Sequence, residues 1–148
     1  MPSKVVSKTL TIRISEDVEL NGKKYGNINI TEIPDINEVS TRIVTALSTG
    51  TSLLKFAAEA GSGTYISSNV KYIRITNLDS VNQVRLALIN AGVDAHVAVD
   101  PGESFILSNT IIKGENDAPD IQPENITEIK AYGASNSSVD LEIFVASI

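Results

Sequence analysis

The sequence contains no cysteine, no tryptophan and a single histidine. Without cysteine there is no disulfide, no thiolate zinc site and no thiol nucleophile. Aromatic residues make up only 5% of the chain, so a deep aromatic ligand pocket is not expected, and a core must rest on Ile, Val, Leu and Ala. No apolar run approaches the ~18 residues of a membrane-spanning helix. The opening "MPSKVVSKTL" has no apolar stretch of the kind a signal peptide carries. The net charge of -6 repels phosphate backbones, and no cluster of Lys or Arg offsets it. Neither nucleic acid nor membrane is therefore an expected partner.

What the chain does have is alternation. Its 148 residues are 42% apolar, enough for one self-sufficient core. "TLTIRI" places Leu10, Ile12 and Ile14 on one face. "VELNGKKY" holds Asn-Gly, a strong hairpin signal, because both residues tolerate φ > 0. Ile28 and Ile30 alternate next, and Pro34 marks a turn or sheet edge. Residues 36–47 fit a helical stripe by spacing. The β-branched Thr41, Ile43, Val44 and Thr45 favour a strand over Thr41–Leu47. "SLLKFAAEA" reads as another strand. Ile73 and Ile75, then Val84, Leu86 and Leu88, flank the polar knot "NLDSVN", which reads as a hairpin turn. Val97 and Val99 continue the pattern, and "DPGES" suits a type II turn. The strands from Val70 to Asn109 are thus expected to form a meander. Lys113–Asn125 carries two prolines and several acids and reads as a long surface loop. "ITEIKAYG" and "VDLEIFVASI" are expected to close the chain as a final hairpin.

These features predict an all-β protein, an antiparallel β-sandwich of about nine strands with a jelly roll as one candidate topology. Residues 1–8 are expected to form a flexible basic arm and residues 9–148 a single domain.

Every constellation with catalytic potential has a plainer structural reading. His96 sits mid-strand with no second metal-binding partner type nearby and reads as a solvent-facing residue. "GSGT" at Gly61 lacks the Lys of a phosphate loop and reads as a turn. Glu115, Asn116, Asp117 and Asp120 offer hard oxygens, yet their spacing is not that of an EF-hand and Pro119 restricts wrapping. Glu103 and Glu128 could pair as glycosidase carboxylates only if the fold joined them, and no aromatic sugar platform accompanies them. Tyr65, Tyr72 and Tyr132 are candidates for a carbohydrate-binding face. Asn29, Asn125 and Asn136 head Asn-x-Ser/Thr triplets, expected by chance in so Asn-, Ser- and Thr-rich a chain. Asn77, Asp79, Ser80 and Asn82 read as turn formers that hold register. No catalytic, cofactor or metal residue is assigned.

The segments "VKYIRITNLDSVNQVRLAL", "DPGESFILSN" and "SSVDLEIFVASI" resemble small all-β proteins encoded by tailed bacteriophages. The resemblance covers the second half of the chain well and the first half loosely, and it carries no functional residues. It implies a non-enzymatic structural virion protein, above all a capsid decoration (cement) protein on the head surface. Expected partners are the major capsid protein or other virion proteins and further copies of the chain, with a trimer as one candidate. The implied location is the virion, assembled in the host bacterial cytoplasm. A tail or head–tail connector component is the alternative within that class, and a carbohydrate- or receptor-binding module the alternative outside it.

Overall fold

The computed structural model describes residues 6–58, 64–90, 93–108, 120–121 and 125–148. Thirteen strands run in chain order: β1 Lys8–Ser15, β2 Val18–Leu20, β3 Lys23–Tyr25, β4 Ile28–Ile36, β5 Glu38–Ala46, β6 Thr51–Ala57, β7 Tyr65–Ile66, β8 Val70–Asn77, β9 Val84–Asn90, β10 Val93–Val99, β11 Ser104–Leu107, β12 Glu128–Tyr132 and β13 Val139–Ser147. A 3-10 turn at Ser67–Asn69 is the one helical element among the described residues, so no helix there is long and apolar enough to cross a membrane. The all-β expectation holds, and the count exceeds the expected nine because β2, β3 and β7 are pieces of two or three residues.

Two sheets carry the core. One has the order β11-β8-β13-β5, the other β10-β9-β12-β6-β7. β5 pairs with β13, β6 with β12, β8 with β11 and β9 with β10. First with last, second with second-last, and so inward: this nesting over eight strands and two sheets is a jelly roll. Pairing is antiparallel except for the short β6–β7 bridge, which is parallel.

Alternation decides which side chains lie between the sheets. Along β13, Val139, Leu141, Ile143 and Val145 are buried between the layers. Ile73 and Ile75 of β8 join them, and across the gap lie Val84, Leu86 and Leu88 of β9 with Ile129 of β12. Full burial of each Ile or Leu contributes about 1.5–3 kcal/mol, so a core almost free of aromatic rings suffices.

Three expectations are corrected by this topology. β8 and β9 are not a hairpin: they lie in different sheets, and Asn77–Gln83 crosses between them. The meander reduces to one in-sheet pair, β9–β10. β12 and β13 also lie in opposite sheets and form no closing hairpin. An alternating strand followed by a polar turn has the same sequence pattern whether the chain doubles back or arches over the core. What differs is the partner, which is remote in sequence.

Local turn chemistry is obeyed. Asn21 and Gly22 have φ of 51° and 77°, as the Asn-Gly hairpin between β2 and β3 requires. At the DPGE turn, Gly102 has φ 79° and the Glu103 N–H donates to the Asp100 carbonyl at 3.0 Å, the type II arrangement. Pro34 lies within β4 beside Asp35, whose φ is 64°. There the register with β1 slips between Leu10 and Lys8.

Candidate interaction surface

β1 and β4 pair with each other, and β2 and β3 continue beyond them. Together they form a two-stranded ribbon, residues 8–36, joined where the Glu16 N–H donates to the Asn27 carbonyl at 2.9 Å. At this junction a Cβ on Gly26 (φ 146°) would lie 1.9 Å from the Glu16 carbonyl oxygen, so only glycine lets the two backbones approach.

The base of the ribbon is packed. Ile33 and Ile36, with Leu10 and Ile12, cover Tyr72, Phe144 and Ala146 on the outward face of the four-stranded sheet. Tyr72 and Phe144 meet edge to face at 5.8 Å between centroids. Burial pushes the Tyr72 phenol above its usual pKa, against a smaller lowering by the Arg74 guanidinium. Arg74 anchors the polar remainder of this face. It donates to Glu142 Oε1 at 2.7 Å and to the Thr76 hydroxyl, which in turn bonds the Ser104 hydroxyl at 2.8 Å.

Beyond its base the ribbon is bare. Every residue from Arg13 to Glu32 is exposed. The register places Ile14 opposite Asn29 but Ile28 opposite Ser15 and Ile30 opposite Arg13. Paired residues share a face, so Ile14 lies on one side of the ribbon and Ile28 and Ile30 on the other. At the tip, Val18 and Tyr25 are paired and Leu20 lies on their side. A second apolar strip follows on β5, an edge strand paired only with β13 among the described residues. Its outward Val39 and Ile43, with Leu47 just past its end, are all more than half exposed. Alternation in "TLTIRI" and "NINITEI" gave notice of these side chains, and the register bears out Leu10, Ile12 and Ile14 on one face.

The candidates for chemistry are scattered. His96 is exposed on the outward face of the five-stranded sheet, its Nδ1 accepting from Arg85 Nη1 at 3.3 Å. The Arg85 guanidinium lies over the Tyr132 ring, 4.4 Å from its centroid. Tyr72 is under the ribbon on the other sheet, and Tyr65 is half-buried against Phe56 at 6.1 Å. The three tyrosines therefore do not share a face. Glu103 stands in the turn before β11, whereas Glu128 is on β12 in the opposite layer, 4.0 Å from Lys130 Nζ. Asn29 is exposed on β4, and Asn136 takes φ 60° in the turn before β13. Asn125 donates to the Asp120 carbonyl at 2.8 Å. Gly61, Glu115, Asn116, Asp117 and Pro119 lie outside the described residues. Among the described residues no three His, Cys, Asp or Glu side chains converge as metal ligands.

The knot "NLDSVN" does more than turn. Asn77 is fully buried, and its Nδ2 donates to the carbonyls of Asn82 (2.9 Å) and Val99 (3.0 Å). Its Oδ1 accepts from the Asp79 N–H at 2.9 Å. Its backbone N–H donates to the Glu103 carbonyl, and its own carbonyl accepts from the Gly102 N–H, both at 2.9 Å. One side chain at the end of β8 thereby ties its sheet to the end of β10 in the other. Asp79 Oδ1 accepts from the N–H groups of Val81 and Asn82 at 2.7 Å, and these backbone bonds, Asn82's foremost, hold its carboxyl below the usual value.

Comparison with known proteins finds no matching family model, no similar curated protein and no similar solved structure.

Proposed function

We propose that this chain is a non-catalytic structural component of a tailed-bacteriophage virion, a decoration (cement) protein that binds the head surface formed by the major capsid protein. The observation that carries this reading is the exposed apolar surface of the ribbon and β5, larger than scattered single side chains need explaining and lying away from any reactive cluster among the described residues. Two further supports are the resemblance of the chain's second half to phage proteins and the jelly roll itself, an architecture common in viral capsid domains. A fold is only an analogy for function, so binding is the test. Purified protein is expected to co-sediment with assembled cognate shells and to be found in purified virions by mass spectrometry. Absence from both overturns the reading. Antibody label at the tail or neck rather than over the head would favour a tail or connector component.

A second reading, a carbohydrate-binding module, draws on one observation. An open cleft of about 400 Å³ beside Tyr132 is lined by Gln83, Arg85, Ser48 and Ser135, the mixture of ring and hydrogen-bonding groups that sugars use. Glycan-array binding that disappears in Tyr132→Ala would favour it, and a blank array would remove it.

A further inference from the structure

A two-stranded ribbon is at best marginally stable in water without a third surface to pack on. Here the base has one, the outward face of its own four-stranded sheet, and the distal half has none. Its apolar side chains point to both sides, Ile14 to one and Ile28 and Ile30 to the other, so the chain's own sheet could cover only one side even if the ribbon lay flat. The ribbon also parts from the sheet: a cleft of about 250 Å³ opens between Ile12, Arg13 and the Tyr72–Phe144 patch.

The same sheet face is likewise half covered. Over β8 and β13 it lies beneath the ribbon base, and over β5 it is open. The covered and open parts are continuous. Leu10 and Ile36 of the packed base, with Val6 and Val39, line an open cleft of about 370 Å³. From Val39 the apolar strip runs on to Ile43, 65% exposed, and Leu47. Each molecule thus has half a ribbon without a sheet and half a sheet face without a ribbon.

We propose that the distal ribbon of one molecule docks along the open β5 strip of a second copy of this chain. Each chain donates one ribbon and receives one, a head-to-tail contact that closes into a ring or a reciprocal pair. The areas are sufficient. On the ribbon side that carries Ile28 and Ile30, those two side chains and the strip's Val39, Ile43 and Leu47, each about half of ~170 Å² exposed, supply roughly 400 Å² of apolar surface per contact, and a reciprocal pair makes two such contacts. With a polar rim, this approaches the ~1,200–2,000 Å² of a standard interface. This contact buries the same ribbon and β5 surface that carries the shell-binding reading, so the two are read out apart: mass in solution tests self-association, and co-sedimentation with shells tests binding.

The test is mass by light scattering after gel filtration of the full chain at about 50 μM. Wild type is expected to run as an oligomer. Ile28→Glu/Ile30→Glu on the ribbon and Ile43→Glu on the strip should each reduce it to a monomer with an unchanged circular dichroism spectrum, since all three positions are exposed. Mixing the two monomeric variants should restore a dimer, because one retains the strip and the other the ribbon. A variant that misfolds would be replaced by Ile28→Ser/Ile30→Ser on the ribbon or Val39→Ser on the strip. A monomeric wild type, a variant that remains oligomeric, or a mixture that remains monomeric overturns the proposal.

Discussion

Asn77 shows how one buried polar side chain can hold two layers. All its donors and acceptors are engaged, and its partners include the carbonyl of Val99 in the other sheet. Asn77→Ala leaves the Val99 carbonyl, at a buried bond, and the partly buried Asn82 carbonyl short of a donor, and each loss costs about 1–3 kcal/mol. A loss of about 2–4 kcal/mol is expected from urea unfolding. Asp79 adds a pH dependence. Its folded pKa lies below the ordinary 3.8, so its contribution to stability is present above that value and is lost as pH falls through the depressed one. Wild type is therefore expected to exceed Asp79→Asn in urea midpoint at pH 7, with the difference shrinking below about pH 3.8. A constant difference from pH 7 to pH 2.5 would show that the carboxylate's charge is not what the turn uses. His96 makes no comparable bonds, and His96→Ala is expected to stay within about 0.5 kcal/mol of wild type.

At the scale of elements, the distal ribbon and the sandwich are energetically separate. Gly26→Ala forces a Cβ into the Glu16 carbonyl, yet nothing from Arg13 to Glu32 is buried. The expected outcome is faster tryptic cleavage at Lys23 and Lys24 while the urea midpoint of the sandwich stays put; a fall in that midpoint would mean the ribbon tip supports the core. Strand positions, the Asn-Gly turn and the Pro-Gly turn were legible in the sequence because they depend on neighbours a few residues away. The hairpin reading of β8 and β9 failed because Val84 and Ile75 alternate identically whether they face the same sheet or opposite ones. Burial in the ribbon was not legible for a related reason. Ile28 and Ile30 alternate as core residues do, and only the register with Ser15 and Arg13 shows them on the bare side.

At the scale of the molecule, the sandwich is expected to stand without its distal ribbon. Joining Ile12 to Thr31, its partner in the register, through Asn-Gly removes a segment that buries nothing within the chain. The unfolding free energy should change by no more than about 1 kcal/mol, while the oligomer is lost. A shortened chain that fails to fold would show the ribbon to be part of the folding unit.

The nested pairing also imposes an order of events on synthesis. β5 is the first sandwich strand to leave the ribosome and β13, which it pairs with, is the last. Some 90 residues separate Ala46 from Val139, about 5–20 s of translation at roughly 5–20 residues per second. Throughout that interval both edges of β5 are without a mate, and an unmated apolar strand templates pairing with foreign chains. Nascent copies on one messenger are neighbours in the same exposed state, so translation speed and chaperone supply bear on the yield of native protein more than they would for a chain whose strands pair as they emerge.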